Sequence, residues 1–385
     1  MRFHYISPST LPSRAANSVH VLWQCEGLCR NGAEVSLYAK RTMSEAQQLL
    51  AELRTAYGVD HSGLKFDTVY SASNRGNNLR IALYAVRTIR RAGRGEPILS
   101  RNLYAAFALA VIYKTPLLFE THQLESGFRK WMQRKIMCCP WVTTIVISDH
   151  LAKYLTQYHG IAPCRTLVLH DAAPEGILQV PVAERRARLC VKTDRALGAW
   201  KQVCGYFGHL YSGRGIEIVE AMAAARPQTL FLVYGGTEVD LAARRSGNRL
   251  PNLIFMGHVP HPMARELMCL MDVLLMPYQE SVSIGVAGQD TARWMSPMKM
   301  FEYLGAGVPV ISSDLPVLRE VLHDDSNCLL APPADAQAWV AALDRLEADP
   351  NLAARIGAAA HAQYERQHTW TRRAERILAA AKQHR

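Results

Sequence analysis

The sequence predicts an α/β protein with two doubly wound parallel-sheet domains in tandem. Apolar, strand-like runs alternate with helical stretches in two series, and a segment rich in Pro, Gly and charge (171–200) divides the series. The length of 385 residues also exceeds one typical domain. We therefore expect a first domain at 1–172, a linker region at 173–200, a second domain at 201–369 and a helix at 370–385 that packs back on the first domain.

The first series opens with a βαβ unit. RFHYIS (2–7) is strand-like, VHVLWQCEGLCRNG has apolar residues at helical spacing and ends at Gly32, and EVSLY (34–38) is the next strand. Later strand-like runs are PILS (97–100), PLLFE (116–120), TTIVIS (143–148) and TLVLH (166–170).

The second series repeats the pattern. Its strand-like runs are VCGYFG (203–208), TLFLVYG (229–235), NLIFMG (252–257), DVLLMPY (272–278) and VPVIS (308–312). Two such domains, each a Rossmann-like sheet, predict a ligand site in the cleft between them. The last stretch, WTRRAERILAAAKQ, is helical in pattern.

Composition indicates a soluble globular protein. The hydrophobic content is 49% and the mean hydropathy is −0.06. No apolar run reaches the roughly 18 residues of a membrane span. MRFHYIS enters a strand-like pattern directly, so we expect no secretion signal. The nine scattered cysteines contain no CxxC pair, which favours a reducing cytoplasm over a disulfide framework or a zinc site.

The charge is unevenly distributed. Residues 1–170 contain 21 Lys and Arg against 10 Asp and Glu, which accounts for the whole net charge of +11. Two basic clusters occur, at 87–94 and 129–135, and Phe128 and Trp131 accompany the second. Basic residues mixed with apolar ones suit an anionic membrane surface. Nucleic acid binding and a solvated basic face are the alternatives.

The run SPMKMFEYLGAGVPVI (296–311) predicts a helix, a turn and a buried strand. Ser296 suits the N-cap and Pro297 the first helical position. A helix start attracts anions, Lys299 would add a charge there, and Glu302 could accept hydrogen bonds from hydroxyl groups. This is the outline of a nucleotide-sugar site. From spacing alone, an ordinary capped helix with a solvated Lys and Glu is the favoured explanation of the run.

Four segments together are more specific: RAANSVH (14–20), LLFETHQLES (117–126), GYFGHLYSGRG (205–215) and the run at 296–311, extended to Leu322. In this order the chain resembles the retaining glycosyltransferases of the GT-B fold, in particular the large family 4 group. The resemblance covers nearly the whole chain and implies a GT-B architecture with a C-terminal crossover helix.

The resemblance assigns the donor diphosphate to the second domain. Arg214 stands at the family's clamping Lys position and can grip phosphate bidentately. His209, after Gly208, replaces the family's Arg, which weakens one clamp position unless His209 is protonated or bonds phosphate directly. Lys299 completes the expected catalytic cations, with Ser296, Pro297 and Met298 at the helix start.

The resemblance also places the nucleoside and the sugar. Glu302 would bond the ribose hydroxyls. Trp294 replaces the family's upstream Glu, so sugar identity is open. The preceding segment (280–294) is a candidate replacement through Arg293 or Asp290, with a flexible surface loop as the alternative. Backbone contacts to the base are expected at these residues: Gly235, Gly257 and Val259.

In the first domain the resemblance assigns His122 a catalytic role, positioning the transferred sugar rather than acting as a general base. Ala16 and Asn17 would contact the sugar or the acceptor. No cofactor and no metal are expected, because no acidic metal motif appears in a suitable context. The donor would be a nucleotide-diphosphate sugar, with UDP or GDP favoured and ADP not excluded.

The expected function is retaining, metal-independent transfer of a sugar to an acceptor hydroxyl. A lipid-linked glycan of surface polysaccharide biosynthesis is the acceptor that the basic, Trp-containing segment suggests, with the protein cytoplasmic and peripheral on the inner membrane face. The alternatives are a nucleotide-sugar 2-epimerase of the same fold, a transferase that only binds nucleotide sugar, and a nucleic-acid-binding protein. The last lacks a stacking platform or helix-turn-helix signature, so no nucleic acid is expected.

Overall fold

A computed structural model describes residues 1–13, 15–42, 52–55, 57–59, 62–70, 77–93, 95–282 and 290–383. The chain divides into two units. Unit 1 consists of Met1–Ala172 together with Thr369–Arg385, and unit 2 consists of Ala173–His368. Each unit is built on one parallel sheet.

Unit 1 contains a seven-stranded sheet in the order β3-β2-β1-β4-β5-β6-β7, and every adjacent pair is parallel. Its strands are β1 (Arg2–Leu11), β2 (Glu34–Arg41), β3 (Leu64–Tyr70), β4 (Ile98–Ser100), β5 (Leu117–Thr121), β6 (Val142–Val146) and β7 (Thr166–Val168). Its helices begin with α1 (Ala16–Arg30), α2 (Asn77–Ala92), α3 (Leu103–Phe107) with a π-helical continuation (Ala108–Ile112), α4 (Gly127–Met137) and α5 (Asp149–His159).

Unit 2 contains a six-stranded parallel sheet in the order β10-β9-β8-β11-β12-β13. Its strands are β8 (Gln202–Phe207), β9 (Thr229–Tyr234), β10 (Leu253–Gly257), β11 (Val273–Met276), β12 (Val310–Ser313) and β13 (Leu329–Ala331). Its helices are α6 (Val182–Thr193), α7 (Ile216–Ala225), α8 (Glu238–Gly247), α9 (His261–Met268), α10 (Met298–Ala306), a 3-10 turn (Leu318–Glu320), α11 (Ala336–Ala348) and α12 (Pro350–Gln367). The last helix, α13 (Trp370–Lys382), belongs to unit 1.

Continuous apolar strands explain the two-sided core of unit 2. Leu230 and Leu232 of β9 lie in one buried cluster, while Phe231 and Val233 lie in the cluster on the opposite face. Successive side chains of a strand point to opposite faces, so a sheet covered by helices on both sides needs apolar residues at every position. The expected fold class, two Rossmann-like parallel α/β domains, is confirmed.

Two of the strands, β3 and β13, were not predicted from the sequence. β3 lies at the edge of its sheet with mostly half-exposed side chains, and β13 has only three residues at the other sheet's edge. Neither contains the long apolar run of a central strand. The structure also corrects the expected linker, because residues 173–200 belong to unit 2. Val180, Leu189 and Leu197 are buried in the unit 2 core.

The last helix packs closely on the first one within unit 1. A Cβ atom added at Gly27 of α1 would lie 2.7 Å from the carbonyl carbon of Trp370 and 3.2 Å from the backbone nitrogen of Thr371. Gly27 thus allows the two helix backbones to approach. Asn31 extends this contact by donating from Nδ2 to the Thr371 carbonyl at 3.0 Å.

Candidate functional site

Helix α10 forms the centre of the candidate site in unit 2. It begins at Met298, and Pro297 is its N-cap in an extended conformation (φ −74°, ψ 123°) with no side-chain capping bond. The expectation that Ser296 caps the helix is therefore wrong by one position, and Ser296 is buried instead. Because Pro lacks an N–H group and its φ is fixed near this value, it serves as the entry residue. The first turn presents N–H groups and a partial positive charge.

Lys299 is not a solvated lysine. Its Nζ is shielded from water, has no hydrogen-bond partner, and lies 4.6 Å from the ring centre of Tyr206 and 4.3 Å from that of Tyr278. Burial and then the charge of Arg214 hold the pKa of Lys299 well below its usual value. A buried amine without an acceptor costs about 1–3 kcal/mol, which an anionic ligand would recover.

Arg214 contacts Tyr278, one of the two tyrosines beside Lys299. Its Nη1 donates to the Tyr278 hydroxyl at 3.0 Å, and its Nε is buried without a partner. The Tyr206 hydroxyl donates to the carbonyl of His209 at 2.7 Å, which holds the loop between β8 and α7. Two basic side chains with unused nitrogen atoms therefore share one small region, which is an arrangement suited to phosphate.

The glycine turns lie at the carboxyl ends of β8, β9 and β10. The N–H of Gly208 donates to the Tyr234 carbonyl at 2.9 Å, and the N–H of Gly235 to the Gly257 carbonyl at 2.8 Å. A Cβ at Gly208 would lie 3.5 Å from the Lys299 Nζ. The structure therefore brings Gly208 and Lys299 together, and it places Gly235 and Gly257 on the adjacent strand ends. Val259 is half-buried against the unit 2 core.

His209 lies near both cations but adds no charge of its own. Its ring stacks on Tyr211 with a centroid separation of 4.7 Å and an interplanar angle of 4°. Burial, then the charges of Arg214 and Lys299, lower the pKa of His209. The neutral imidazole can bond an oxygen but does not replace the charge of an arginine at this position.

Glu302 follows Lys299 on α10 and is half-buried. Burial raises the pKa of Glu302, while the charge of Arg265 on α9 opposes the rise. A carboxyl group one turn from the helix start can accept hydrogen bonds from a diol. Arg265 had not been singled out in the sequence, because it lies 37 positions away in a helix with no recognisable motif.

The segment before α10 is described in part. Arg293 is exposed. The Asp290 carboxylate accepts from the backbone N–H groups of Val282 and Ala292, both at 2.9 Å, and so shapes the local loop. Residues 283–289, where further sugar contacts were predicted, lie outside the described residues.

The first residues of α1 carry two of the predicted contacts in unit 1. Ala16 is exposed, and Asn17 donates from Nδ2 to Ser9 Oγ at 2.8 Å, which connects α1 to β1. The Oδ1 of Asn17 is buried without a hydrogen-bond partner. Arg14 of the same predicted loop lies outside the described residues.

His122 follows β5 and uses both of its ring nitrogens. Nε2 lies 2.8 Å from Glu120 Oε1, and Nδ1 lies 3.1 Å from Arg101 Nη2. Burial, then the charge of Arg101, lowers the pKa of His122 to about 4. The ring is therefore neutral near pH 7 and is not an imidazolium acid. Both of its nitrogens are engaged by protein side chains.

Glu120 is the centre of a buried network that the sequence analysis missed. Arg373 Nη2 donates to its Oε1 at 2.8 Å, and His20 Nε2 lies 3.1 Å from the same oxygen. Burial alone would raise the pKa of Glu120, but the charges of Arg373 and His20 and the bond from His122 hold it well below its usual range. A glutamate inside the apolar run LLFET was the one available signal.

The group His20, Glu120 and His122 brings three potential metal-ligand atoms within 4.8 Å of one another, and it is the only such group found in the part of the chain that the structure describes. The guanidinium of Arg373 contacts the same Glu120 oxygen. A second cation there would be repelled by Arg373. The donor set suits a hydrogen-bond network rather than a metal ion.

Comparisons with known proteins agree with this architecture. Residues 214–379 match a family model described as glycosyl transferase-like, a segment that begins at Arg214 and includes Lys299 and Glu302. The Anabaena protein HepE, solved in complex with UDP and also with UDP-glucose, superposes with a TM-score of 0.72 at 16% identity over 100% of both chains. The chain therefore has the GT-B fold, and most of its second unit is glycosyl transferase-like in sequence.

Two curated proteins are similar over shorter stretches. One is Bacillus subtilis TuaH, named as a teichuronic acid biosynthesis glycosyltransferase, with 29% identity over 116 residues, 30% of this chain and 27% of TuaH. The other is the phosphatidyl-myo-inositol mannosyltransferase of Mycolicibacterium smegmatis, with 28% identity over 133 residues, 34% of this chain and 31% of that protein. The chain thus spans about a third or less of the curated relatives it matches.

Proposed function

We propose that the protein is a glycosyltransferase that moves a sugar from a nucleotide-diphosphate donor to an acceptor hydroxyl. The observation that carries this proposal is the pair Arg214 and Lys299, two basic side chains with buried, unpartnered nitrogen atoms beside the start of α10. The match of residues 214–379 to a glycosyl transferase-like model supports the same conclusion.

The chemistry requires charge stabilisation on the leaving group. Cleavage of the anomeric C–O bond leaves negative charge on the donor phosphate, and fixed cations in a region without water stabilise it. Arg214, Lys299 and the first amides of α10 would bind the diphosphate, with Glu302 on the ribose and Gly235, Gly257 and Val259 near the base. The donor in this proposal is a UDP- or GDP-sugar.

The proposal extends to retention of configuration without a metal ion. In this mechanism the leaving phosphate accepts the proton of the acceptor hydroxyl on the same face as attack, so no protein base is needed. The neutral His122, with both ring nitrogens in hydrogen bonds, is consistent with that assignment. The Arg373 contact to Glu120 argues against a cation at the group of three potential ligands in unit 1.

Nucleotide titration tests the donor site directly. UDP, GDP and ADP are titrated by calorimetry into the natural chain, Glu302→Ala, and Glu365→Ala, which changes an exposed glutamate of α12. We expect one nucleotide to bind the natural chain and Glu365→Ala alike, and to bind Glu302→Ala about tenfold or more weakly. Absence of binding by all three nucleotides would refute the proposed donor site.

We further propose that the acceptor is lipid-linked and that the protein is cytoplasmic and peripheral on the inner membrane face. None of the described helices is long and apolar enough to cross a bilayer. The surface of unit 1 supports a peripheral contact. Phe128 and Trp131 of α4 are 71% and 44% exposed and stack at 5.1 Å. Arg90 covers the ring of Tyr113 at 3.9 Å.

The segments that carry these residues are rich in cations, and Glu125, which pairs with Arg129 at 2.8 Å, is the acid next to them. The segments 77–93, 101–119 and 127–148 contain no Asp or Glu. A shallow groove between α2 and Tyr113 is lined by Leu83, Val86, Arg87, Arg90, Arg91 and Tyr113. Apolar side chains beside guanidinium groups match the acyl region and phosphates of an anionic bilayer. Arg94, part of the predicted cluster, lies outside the described residues.

Vesicle flotation tests the membrane proposal. We expect the protein to float with vesicles containing phosphatidylglycerol and not with pure phosphatidylcholine, because the surface needs anionic lipid. Phe128→Ser/Trp131→Ser should lose most of this binding. Val191→Ser/Val239→Ser, which changes two valines of unit 2 that are at least 80% exposed, should keep it. Equal flotation of both double variants would refute the role of this surface.

A further inference from the structure

Four buried or half-buried side chains in unit 1 form a continuous chain of hydrogen bonds. Arg373 Nη2 donates to Glu120 Oε1 at 2.8 Å, the same oxygen lies 2.8 Å from His122 Nε2, and His122 Nδ1 lies 3.1 Å from Arg101 Nη2. This series of hydrogen bonds runs from Arg373 in the last helix, α13, to Arg101 immediately after β4.

The donor and the acceptor in each hydrogen bond of His122 follow from the chemistry of its two partners, Arg101 and Glu120. An arginine can only donate, so Nδ1 of His122 accepts from Arg101. An ionised Glu120 can only accept, so Nε2 of His122 carries the proton and donates to it. The pKa of Glu120 lies well below its usual range, since Arg373 and His20 outweigh the effect of burial. His122 is consequently fixed as one neutral tautomer, and neither ring nitrogen remains for a ligand.

Among these four hydrogen-bonded side chains, Arg101 retains an unused N–H donor. Its Nη1 is shielded from water and has no hydrogen-bond partner. Within the described ranges no carboxylate forms an ion pair with Arg101, whereas Arg373 is paired with Glu120. An unpartnered guanidinium N–H that is removed from water is destabilising, and an oxygen ligand would remove that cost.

The place of Arg101 in the sheet is where such a ligand is expected. The strand order of unit 1 reverses between β1 and β4, so the carboxyl ends of these two strands form the switch point of the sheet. Arg101 directly follows β4, and its backbone N–H donates to the carbonyl of Ile6 in β1 at 2.9 Å. Ligands of open α/β sheets bind in the crevice at this switch point.

We propose that Arg101 binds an oxyanion, a phosphate or carboxylate group of the substrate that occupies unit 1. His122, Glu120 and Arg373 are the positioning residues that hold its guanidinium. A charged oxygen is favoured over a neutral one because charge-assisted bonds to arginine are the stronger class. The identification of this substrate as the sugar acceptor rests on the proposed function, whereas the anion site itself does not.

The first experiment measures anion binding at Arg101 in the full chain. Inorganic phosphate and, separately, acetate are titrated while the ring resonances of His122, assigned with His122→Gln, are followed by NMR of histidine-labelled protein. We expect a saturable shift with at least one anion, and the responding anion identifies the group that the site prefers. Arg101→Met should weaken the response about tenfold or more. No shift, or an equal shift in Arg101→Met, overturns the proposal.

The second experiment tests the positioning residues with matched variants of α13. Arg373→Met should shift the Nε2 resonance of His122, because Glu120 loses the charge that lowers its pKa, and should weaken anion binding several-fold. Arg376→Met removes an arginine of the same helix that donates to the Val168 carbonyl at 3.0 Å, and it should change neither. Glu120→Gln/Arg373→Met removes both charges, so it avoids an unpaired buried carboxylate, and it should weaken anion binding as well. Unchanged anion binding together with an unmoved Nε2 resonance in the double variant refutes the positioning role.

These readouts require neither nucleotide binding nor turnover. If no sugar is transferred, an anion response at His122 still establishes the Arg101 site. If nucleotides bind unit 2 but no anion perturbs His122, only the Arg101 proposal fails.

Discussion

At the residue scale, Lys299 illustrates how burial prepares a side chain for an anion. The same lysine in solvent would already be hydrated and would gain little from a phosphate. Here Nζ lies between two tyrosine rings beside a second cation, and its ammonium form is disfavoured. A bound diphosphate would reverse that effect, because an opposite charge stabilises the ammonium.

This reversal gives a pH-dependent prediction. The pKa of Lys299 is lowered in the free chain and would rise when a diphosphate binds, so binding takes up a proton at a pH between the lowered pKa and the raised one. We expect the affinity for the nucleotide identified by titration to fall as the pH rises through that interval. Calorimetry in buffers with different ionisation enthalpies measures the proton uptake.

The control variants separate Lys299 from general charge. Lys299→Met should bind the nucleotide about tenfold or more weakly and lose the proton uptake. Lys201→Met changes an exposed lysine of the same unit and should behave as the natural chain. If Lys299→Met retained the full proton uptake, another group would be responsible and the prediction would be wrong.

The residue scale also shows what sequence could and could not predict. Arg214, Lys299 and Glu302 lie in local motifs, and the structure indeed places Arg214 and Lys299 on one tyrosine. The network around Glu120 joins residues more than 250 positions apart. Its members come from separate loops and helices, so no local spacing connects them, and only the fold brings them together.

At the element scale, the contact between α1 and α13 depends on a glycine. Gly27→Ala places a Cβ atom against the backbone of Trp370, which cannot give way as a side chain could. We expect a loss of about 1–3 kcal/mol in the free energy of unfolding, in the range of overpacked core sites. Urea denaturation followed by fluorescence measures it.

Gly247→Ala is the matched control for that substitution. Gly247 also lies in a helix, α8, but nothing lies within 4 Å of an added Cβ there. Its replacement should leave stability unchanged or slightly higher, since alanine is the better helix former. Equal destabilisation by both substitutions would contradict the close-packing argument.

The accuracy with which a strand was predicted from the sequence depended on how deeply that strand is buried. Central strands such as β9 have apolar side chains on both faces and were predicted nearly to the residue, whereas the edge strands β3 and β13 were missed. Residues 173–200 looked like a linker because Pro, Gly and charges are frequent there, yet Leu189 and Leu197 bury it in unit 2. Composition alone does not reveal which face of a charged helix is apolar.

At the scale of the whole molecule, unit 1 is built from two distant parts of the chain. Arg373 in its last helix supplies the buried cation for Glu120 and also donates from Nε to the His170 carbonyl at 2.9 Å. A chain ending at His368 would leave Glu120 without this partner and expose the buried face of α1. We expect hydrogen exchange in residues 1–172 to accelerate strongly, while residues 173–368 keep their protection.

A chain that ends at Gln383 provides the comparison for this truncation, because it retains α13 complete. It should exchange as the natural chain does in both units. Loss of protection throughout residues 173–368 in the chain ending at His368 would show that unit 2 also depends on the last helix, and would contradict the division of the chain into these units.

The discontinuity of unit 1 has a consequence for biosynthesis. A ribosome makes residues 1–172 first, but the arginine that neutralises Glu120 is added about 200 residues later, after the whole of unit 2. Residues 1–172 must therefore remain incomplete until α13 has been made, while unit 2 already contains the parts of its own core. The nascent first half is the stage at which we expect chaperones to be needed most.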